Sequence, residues 1–163
     1  MKAIRSLTLI LLICLVGQGK LLAQKDYNTA IGFRAGPMAG ISLKHFINSD
    51  TALEGIFNSR WHGTLIQALY EKHQDVFGDP NFNLYYGGGA HFGYWDLNGH
   101  QHPWYDESGS YSAFGIDGII GLEYSLDEAP ISFSLDWKPM LNLINYTGFW
   151  MDDIGLSIRF NFR

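Results

Sequence analysis

The sequence predicts an all-β fold: a closed antiparallel barrel of eight strands that crosses a membrane, with a polar lumen filled by its own side chains. Three observations predict it. Hydrophobicity alternates with period two through most of the chain, the mark of strands with two unlike faces. After residue 23 no apolar run approaches the roughly 20 residues that a membrane-spanning helix needs. The composition is rich in glycine and aromatics, with 19 Gly and 15% Phe, Trp and Tyr, yet only 17% is charged; a typical soluble domain carries about 25%. The 163 residues suit one domain, and 47% hydrophobic content excludes a disordered chain.

The N-terminal segment reads as a secretory signal peptide over residues 1–23. Lys2 and Arg5 precede an apolar run from Leu7 to Val16, Gly17-Gln18-Gly19 breaks it, and Ala23 offers a small residue for cleavage. Residues 24–163 are then the barrel domain. Removing Lys2, Arg5 and Lys20 leaves eight Lys and Arg against 16 Asp and Glu, a net charge of −8. With no basic patch to neutralise phosphates, nucleic-acid binding is excluded. Cys14 is the one cysteine and leaves with the signal, which excludes a disulfide scaffold and a cysteine-based zinc site.

Each strand follows from its alternation. The first, residues 27–36, sets Tyr27, Ile31 and Phe33 against Asn28, Gly32 and Arg34. Gly36-Pro37 turns the chain into the second, 41–47, where Ile41 and Leu43 oppose Ser42 and Lys44. The third, 52–60, sets Leu53 and Phe57 against Glu54, Asn58 and Arg60. In the fourth, 64–73, Ile66, Ala68 and Tyr70 oppose Gln67 and Glu71, although Leu65 and Leu69 share the polar face. Residues 74–82, with Gly78-Asp79-Pro80-Asn81, read as a loop. The fifth strand, 84–95, lines one face with Leu84, Tyr86, Phe92 and Tyr94 and the other with Tyr85, Gly89 and His91. Residues 96–110 form the longest irregular stretch. The sixth, 111–126, sets Phe114, Ile116, Ile120 and Tyr124 against Asp117, Gly121 and Glu123. The seventh, 131–138, alternates without exception, and Pro139 opens a loop over 139–149. The eighth, 150–162, sets Ile154, Leu156, Ile158, Phe160 and Phe162 against Asp153, Gly155, Ser157 and Arg159.

A soluble barrel shows the same period with its apolar face inward, so the choice of face rests on what each face carries. The polar face carries Arg34, Lys44, Arg60, Lys138 and Arg159 and also Glu54, Glu71, Asp117, Glu123 and Asp136. A narrow interior needs such a balance, because an unpaired buried charge costs several kcal/mol. His91 shares that face, where Asp117 or Glu123 is a partner. Glycines such as Gly32, Gly121 and Gly155 lie there too and relieve crowding. On the apolar face, Tyr27, Tyr70, Tyr94, Tyr124, Trp137, Trp150 and Phe162 fall near strand ends, where interfacial aromatic girdles sit. The polar face is therefore expected inside.

The signal peptide, the alternating strands and the closing segment Ile154-Gly155-Leu156-Ser157-Ile158-Arg159-Phe160-Asn161-Phe162 resemble small bacterial outer-membrane barrels, the porin-like OmpA/OmpX type of eight strands. The resemblance implies insertion in the outer membrane of a Gram-negative-type bacterium, with outer-membrane lipid, including lipopolysaccharide, as the surrounding partner. It also implies a C-terminal assembly signal (here Ile158, Phe160 and Phe162) read by the barrel-assembly machinery. Arg163 follows the aromatic residue and departs from the pattern. The scaffold carries many tasks, so no transport activity follows from it.

Candidate chemistry is sparse. His100 and His102, near Asp96, Asp106 and Glu107, sit in the 96–110 loop without the spacing of a metal motif, and neither metal nor cofactor is expected. Two alternatives to a structural or surface-interaction barrel are open. A lipid-modifying enzyme requires a His, an acid and a Ser at one rim, with His91 as the best candidate. A lipocalin-like carrier requires an apolar interior.

Overall fold

The computed structural model describes residues 27–60, 63–96, 109–145 and 148–162. Residues 1–23, expected to be a signal peptide, and His100, His102, Asp106, Glu107 and Arg163 lie outside the described residues. Every regular element among them is a strand: β1 (Thr29–Ala35), β2 (Ala39–Asn48), β3 (Thr51–Arg60), β4 (Gly63–Val76), β5 (Asp79–Asp96), β6 (Ser110–Ser125), β7 (Ile131–Trp137), β8 (Met140–Ile144), β9 (Gly148–Trp150) and β10 (Ile154–Phe162). All pairings are antiparallel.

The ten strands make an eight-membered wall. β1 to β6 pair in sequence order, and β6 pairs with β7 through Ile120↔Trp137 and with β8 through Asp117↔Met140. β7 and β8 are thus one wall member. β9 pairs with β8 and β10 with β7, which makes the eighth. β10 then pairs with β1, Thr29↔Phe162 to Ala35↔Leu156, and the ring closes without a free edge.

Several expectations are corrected at the element level. Residues 139–149 are not a loop, because β8 and β9 carry the last hairpin on to Ile144. Proline lacks an amide hydrogen and reads as a strand end, but the ladder resumes past Pro139, whose carbonyl accepts from Gly118 N at 2.9 Å. Residues 74–82 are not a loop either. Phe77 and Gly78, with φ of 61° and 71°, make a two-residue turn between Val76 and Asp79, the hairpin geometry that needs positive φ at both positions. Register then shifts between Asp75↔Asn83 and Val76↔Asp79, so Pro80 sits in a bulge where no ladder hydrogen bond is required.

The solvation of the two faces is inverted relative to a soluble barrel. Phe133, Leu135 and Ile158 are 38%, 54% and 50% exposed, whereas Asp136 and Arg159 are 3% and 1%. The exposed apolar face runs round every member of the wall, through Phe33, Leu43, Phe57, Ile66, Phe92, Ile116, Leu135 and Leu156. Two apolar groups close the ends of the interior, and a third, Ile56, Leu69, Tyr85 and Ile119, is buried alongside the charged side chains between them. Tyr27, Ala30, Phe46 and Ala52 form one, at the end that holds the start of β1 and the end of β10. Met38, Leu65, Trp95, Tyr111, Ala113, Met140 and Trp150 form the other, at the opposite end.

Candidate functional site

The middle of the barrel is built where alternation turns long polar side chains inward from every wall member. Lys44 of β2 stands opposite Glu54 of β3 in register. Its Nζ lies 2.9 Å from Glu71 Oε2, 3.3 Å from Glu123 Oε2 and 3.4 Å from Glu54 Oε2. The same ammonium sits 4.1 Å from the Tyr85 ring centroid, a cation–π contact in a desolvated place. Arg159 of β10 closes the layer: Nη2 meets Glu54 Oε1 at 2.5 Å, Nη1 donates to Ser134 Oγ at 2.7 Å and Nε to Ser42 Oγ at 2.8 Å. Ser42 in turn donates to Glu54. All of these side chains are at most 2% exposed.

A second layer is continuous with the first. Tyr85 donates to Asp136 Oδ2 at 3.1 Å. Arg34 bridges Asp136 at 2.6 Å and Asp153 at 2.9 Å. Gly155, directly opposite Asp136, makes room for this guanidinium, since a Cβ there would lie 2.2 Å from Arg34 Cζ. Lys138 meets Asp153 at 3.4 Å and donates to Gln67 Oε1 at 2.5 Å. Gln67 reaches Asp117 Oδ2 at 3.3 Å. His91 contacts Asp117 Oδ1 at 2.6 Å and Asn142 Oδ1 at 2.7 Å. Toward the end that holds the start of β1 and the end of β10, Tyr27 donates to Glu123 at 2.6 Å and His73 meets Glu71 at 3.1 Å while stacking on Tyr85, 5.1 Å between centroids.

Burial at this density demands pairing. Removing one partner of a buried ion pair costs about 3–5 kcal/mol, because the other charge stays desolvated. Among the described residues the interior holds the basic side chains Arg34, Lys44, Lys138 and Arg159 and the acidic ones Glu54, Glu71, Asp117, Glu123, Asp136 and Asp153. His73 and His91 stand against Glu71 and Asp117. The pairs link β1, β2, β3, β4, β5, β6, β7 and β10, so the charges act as cross-braces between walls that share no ladder.

Most residues expected on the polar face are inside: Arg34, Lys44, Glu54, Glu71, His91, Asp117, Glu123, Asp136, Lys138 and Arg159 are all buried. Arg60 is not in this network. It ends β3 and pairs with Asp152 at the rim. Of the aromatics expected in a girdle, Tyr70, Tyr94, Trp137 and Phe162 are 48%, 48%, 37% and 46% exposed, and Tyr124 is half-buried. Tyr27 and Trp150 are corrections. The chain bends at Asn28 before β1 begins, which turns Tyr27 inward onto Glu123. Met151 and Asp152 are exposed in succession, so Trp150 falls on the opposite face from Ile154 and packs on Trp95, 5.9 Å between centroids. Ile158, Phe160 and Phe162 all face outward on β10. Gln67, Tyr85 and Asp153, expected on the polar face but not among its charged partners, join the network too. His73 and Asn142 were missed: His73 shares the parity of Gln67 and Glu71, whereas Asn142 falls in the stretch expected to be a loop.

No protein-family model matches the chain, and no curated protein matches it in sequence. Among solved structures, the crystal structure of the N-terminal β-barrel domain of Pseudomonas aeruginosa OprF is similar, with a TM-score of 0.62. The fold is a closed eight-stranded antiparallel barrel, as in that domain. The likeness covers 82% of this chain and 95% of the OprF domain at 19% identity. At that identity the OprF barrel speaks for architecture, and the task is argued from this chain's own residues.

Proposed function

We propose that the protein is an integral outer-membrane β-barrel with a structural or surface-interaction role and no large conducting pore. One observation carries the reading: a continuous apolar face points outward while four basic and six acidic side chains are buried inside. Water outside such a barrel would meet Phe33 at 74% exposure and Leu135 at 54%, a cost that hydrocarbon removes. Eight strands leave an interior just wide enough for side chains to fill, and here they fill it with paired charges between two apolar closures. The surrounding partner is outer-membrane lipid, including lipopolysaccharide, and Ile158, Phe160 and Phe162 are the residues offered to the barrel-assembly machinery.

The charged interior favours this reading over a soluble carrier, which needs an apolar interior for its ligand. It also weighs against a lipid-modifying enzyme centred on His91, whose two ring nitrogens are engaged by Asp117 and Asn142 inside the barrel. Cell fractionation tests the location. The protein is expected in the outer-membrane fraction as a band whose migration changes on heating; recovery in the soluble periplasmic fraction would overturn the proposal. Planar-bilayer recording tests the closed interior, since conductance steps of porin size would contradict it.

A further inference from the structure

One ion pair stands apart from the lumen network. Arg60 ends β3, and Asp152 precedes β10; β2 and β1 lie between these strands in the ring. β1 stops at Ala35, whose partner on β10 is Leu156, and β2 starts at Ala39, whose partner on β3 is Ser59. Arg60 and Asp152 therefore both stand past the last paired residues of the short β1–β2 hairpin. They nevertheless meet, with Nη2 2.5 Å from Oδ2 and Nη1 3.2 Å from Oδ1. The bidentate bridge thus joins the two strands that flank the β1–β2 hairpin, at the end where that hairpin turns.

Both feet of the bridge are anchored. Trp95 Nε1 donates to the Arg60 carbonyl at 3.0 Å, and Trp137 Nε1 donates to the Met151 carbonyl at 2.7 Å. The turn beneath is drawn against β10 at Gly36, where φ is 149° and a Cβ would lie 2.5 Å from Ile154 O. Its last residue, Met38, is 1% exposed within the apolar closure of Leu65, Trp95, Tyr111 and Trp150. From the lumen side, Arg34 Nη1 donates to the Met38 carbonyl at 3.2 Å. The turn is thus held from the lumen by a buried cation, and the strands on either side of it are joined by a bridge that water reaches at Asp152, with side-chain exposures of 12% for Arg60 and 60% for Asp152.

We propose that the Arg60–Asp152 bridge is a strap that keeps the β1–β2 turn seated, so that its release lets Met38 leave the apolar closure at this end of the barrel. A bridge open to solvent exchanges far more readily than the lumen pairs, which makes it the place where this end can open without unbracing the middle. The strap depends on the barrel and its rim, not on the membrane location.

The chain's own methionines provide the test. Met140 is 1% exposed in the same closure but on β8, and Met151 is 53% exposed. In the folded protein treated with peroxide, mass spectrometry follows each thioether to its sulfoxide. Met151 is expected to oxidise fast, and Met38 and Met140 slowly. In Arg60→Gln and in Asp152→Asn, Met38 oxidation should rise about fivefold or more while Met140 stays protected. The exchanged pair, Arg60→Asp with Asp152→Arg, should restore protection. Unchanged Met38 oxidation in both single variants would overturn the proposal. So would a parallel rise at Met140, which would mean general loosening of the closure rather than movement of the turn.

Discussion

Lys44 shows what a fully desolvated ammonium requires in this barrel. It is 0% exposed and touches three glutamates and an aromatic face. Lys44→Met keeps the length of the side chain but leaves Glu54, Glu71 and Glu123 without their shared cation. The expected loss is about 3–5 kcal/mol, read as a lower urea midpoint of the detergent-refolded protein; a loss below about 1 kcal/mol would place this pair with solvent-exposed bridges. Asp50 gives the opposite case at a turn. Hydrogen bonds from Thr51 Oγ1 and Lys72 Nζ hold its carboxyl below the ordinary aspartate value, which is about 3.9. Because the folded value is depressed, the contribution to stability is present above the ordinary value and is lost as pH falls through the folded one. Thr51→Ala should move the Asp50 midpoint upward in a carboxyl NMR titration, and an unmoved midpoint would refute that assignment. At this scale the sequence revealed buried charge wherever alternation was unbroken, as at Arg34, Asp136 and Arg159. It misplaced Tyr27 and Trp150 because a bend at Asn28 and two exposed residues at 151–152 each reset parity, and neither leaves a mark in composition.

At the scale of elements, glycine and proline carry the turns and also conceal the strands. Gly78 has φ of 71°, and a Cβ at this position would find nothing within 4 Å, so a side chain there meets conformational cost alone. Gly78→Ala is expected to cost about 1–2 kcal/mol. Gly55, half-way along β3 with only Leu43 O at 4.0 Å, is the control: Gly55→Ala should be neutral or stabilising in the same unfolding measurement. Equal effects at the two positions would contradict the turn assignment. Eight wall members were legible from period-two runs, and their order in the ring follows chain order. The extents of the fourth, fifth and seventh were not, because Gly78-Asp79-Pro80 and Pro139 carry loop composition. Pro80 occupies a bulge, and Pro139 sits at the joint of β7 and β8, both places where a missing amide hydrogen is tolerated.

At the scale of the whole molecule, the barrel is turned inside out, with a buried ionic middle and an apolar exterior. The wealth of inward charge was visible in the sequence, but its five-to-five balance was not the structure's: with Arg60 at the rim and Asp153 inside, four basic side chains stand among six acidic ones. The two apolar closures were not visible, because Met38, Trp95, Tyr111 and Trp150 come from four separate parts of the chain and meet only when the ring closes. The most direct test reads which solvent the outer face meets. After Cys14 the chain has no cysteine, so single cysteines at Leu43, Phe57, Leu135 and Ile158 can carry a nitroxide in the bilayer-reconstituted barrel of residues 24–163, with Ser49 in the β2–β3 turn as the aqueous reference. The four outer positions should relax strongly with oxygen and weakly with a water-soluble nickel complex; nickel access at Leu135 and Ile158 equal to that at Ser49 would contradict the inverted barrel.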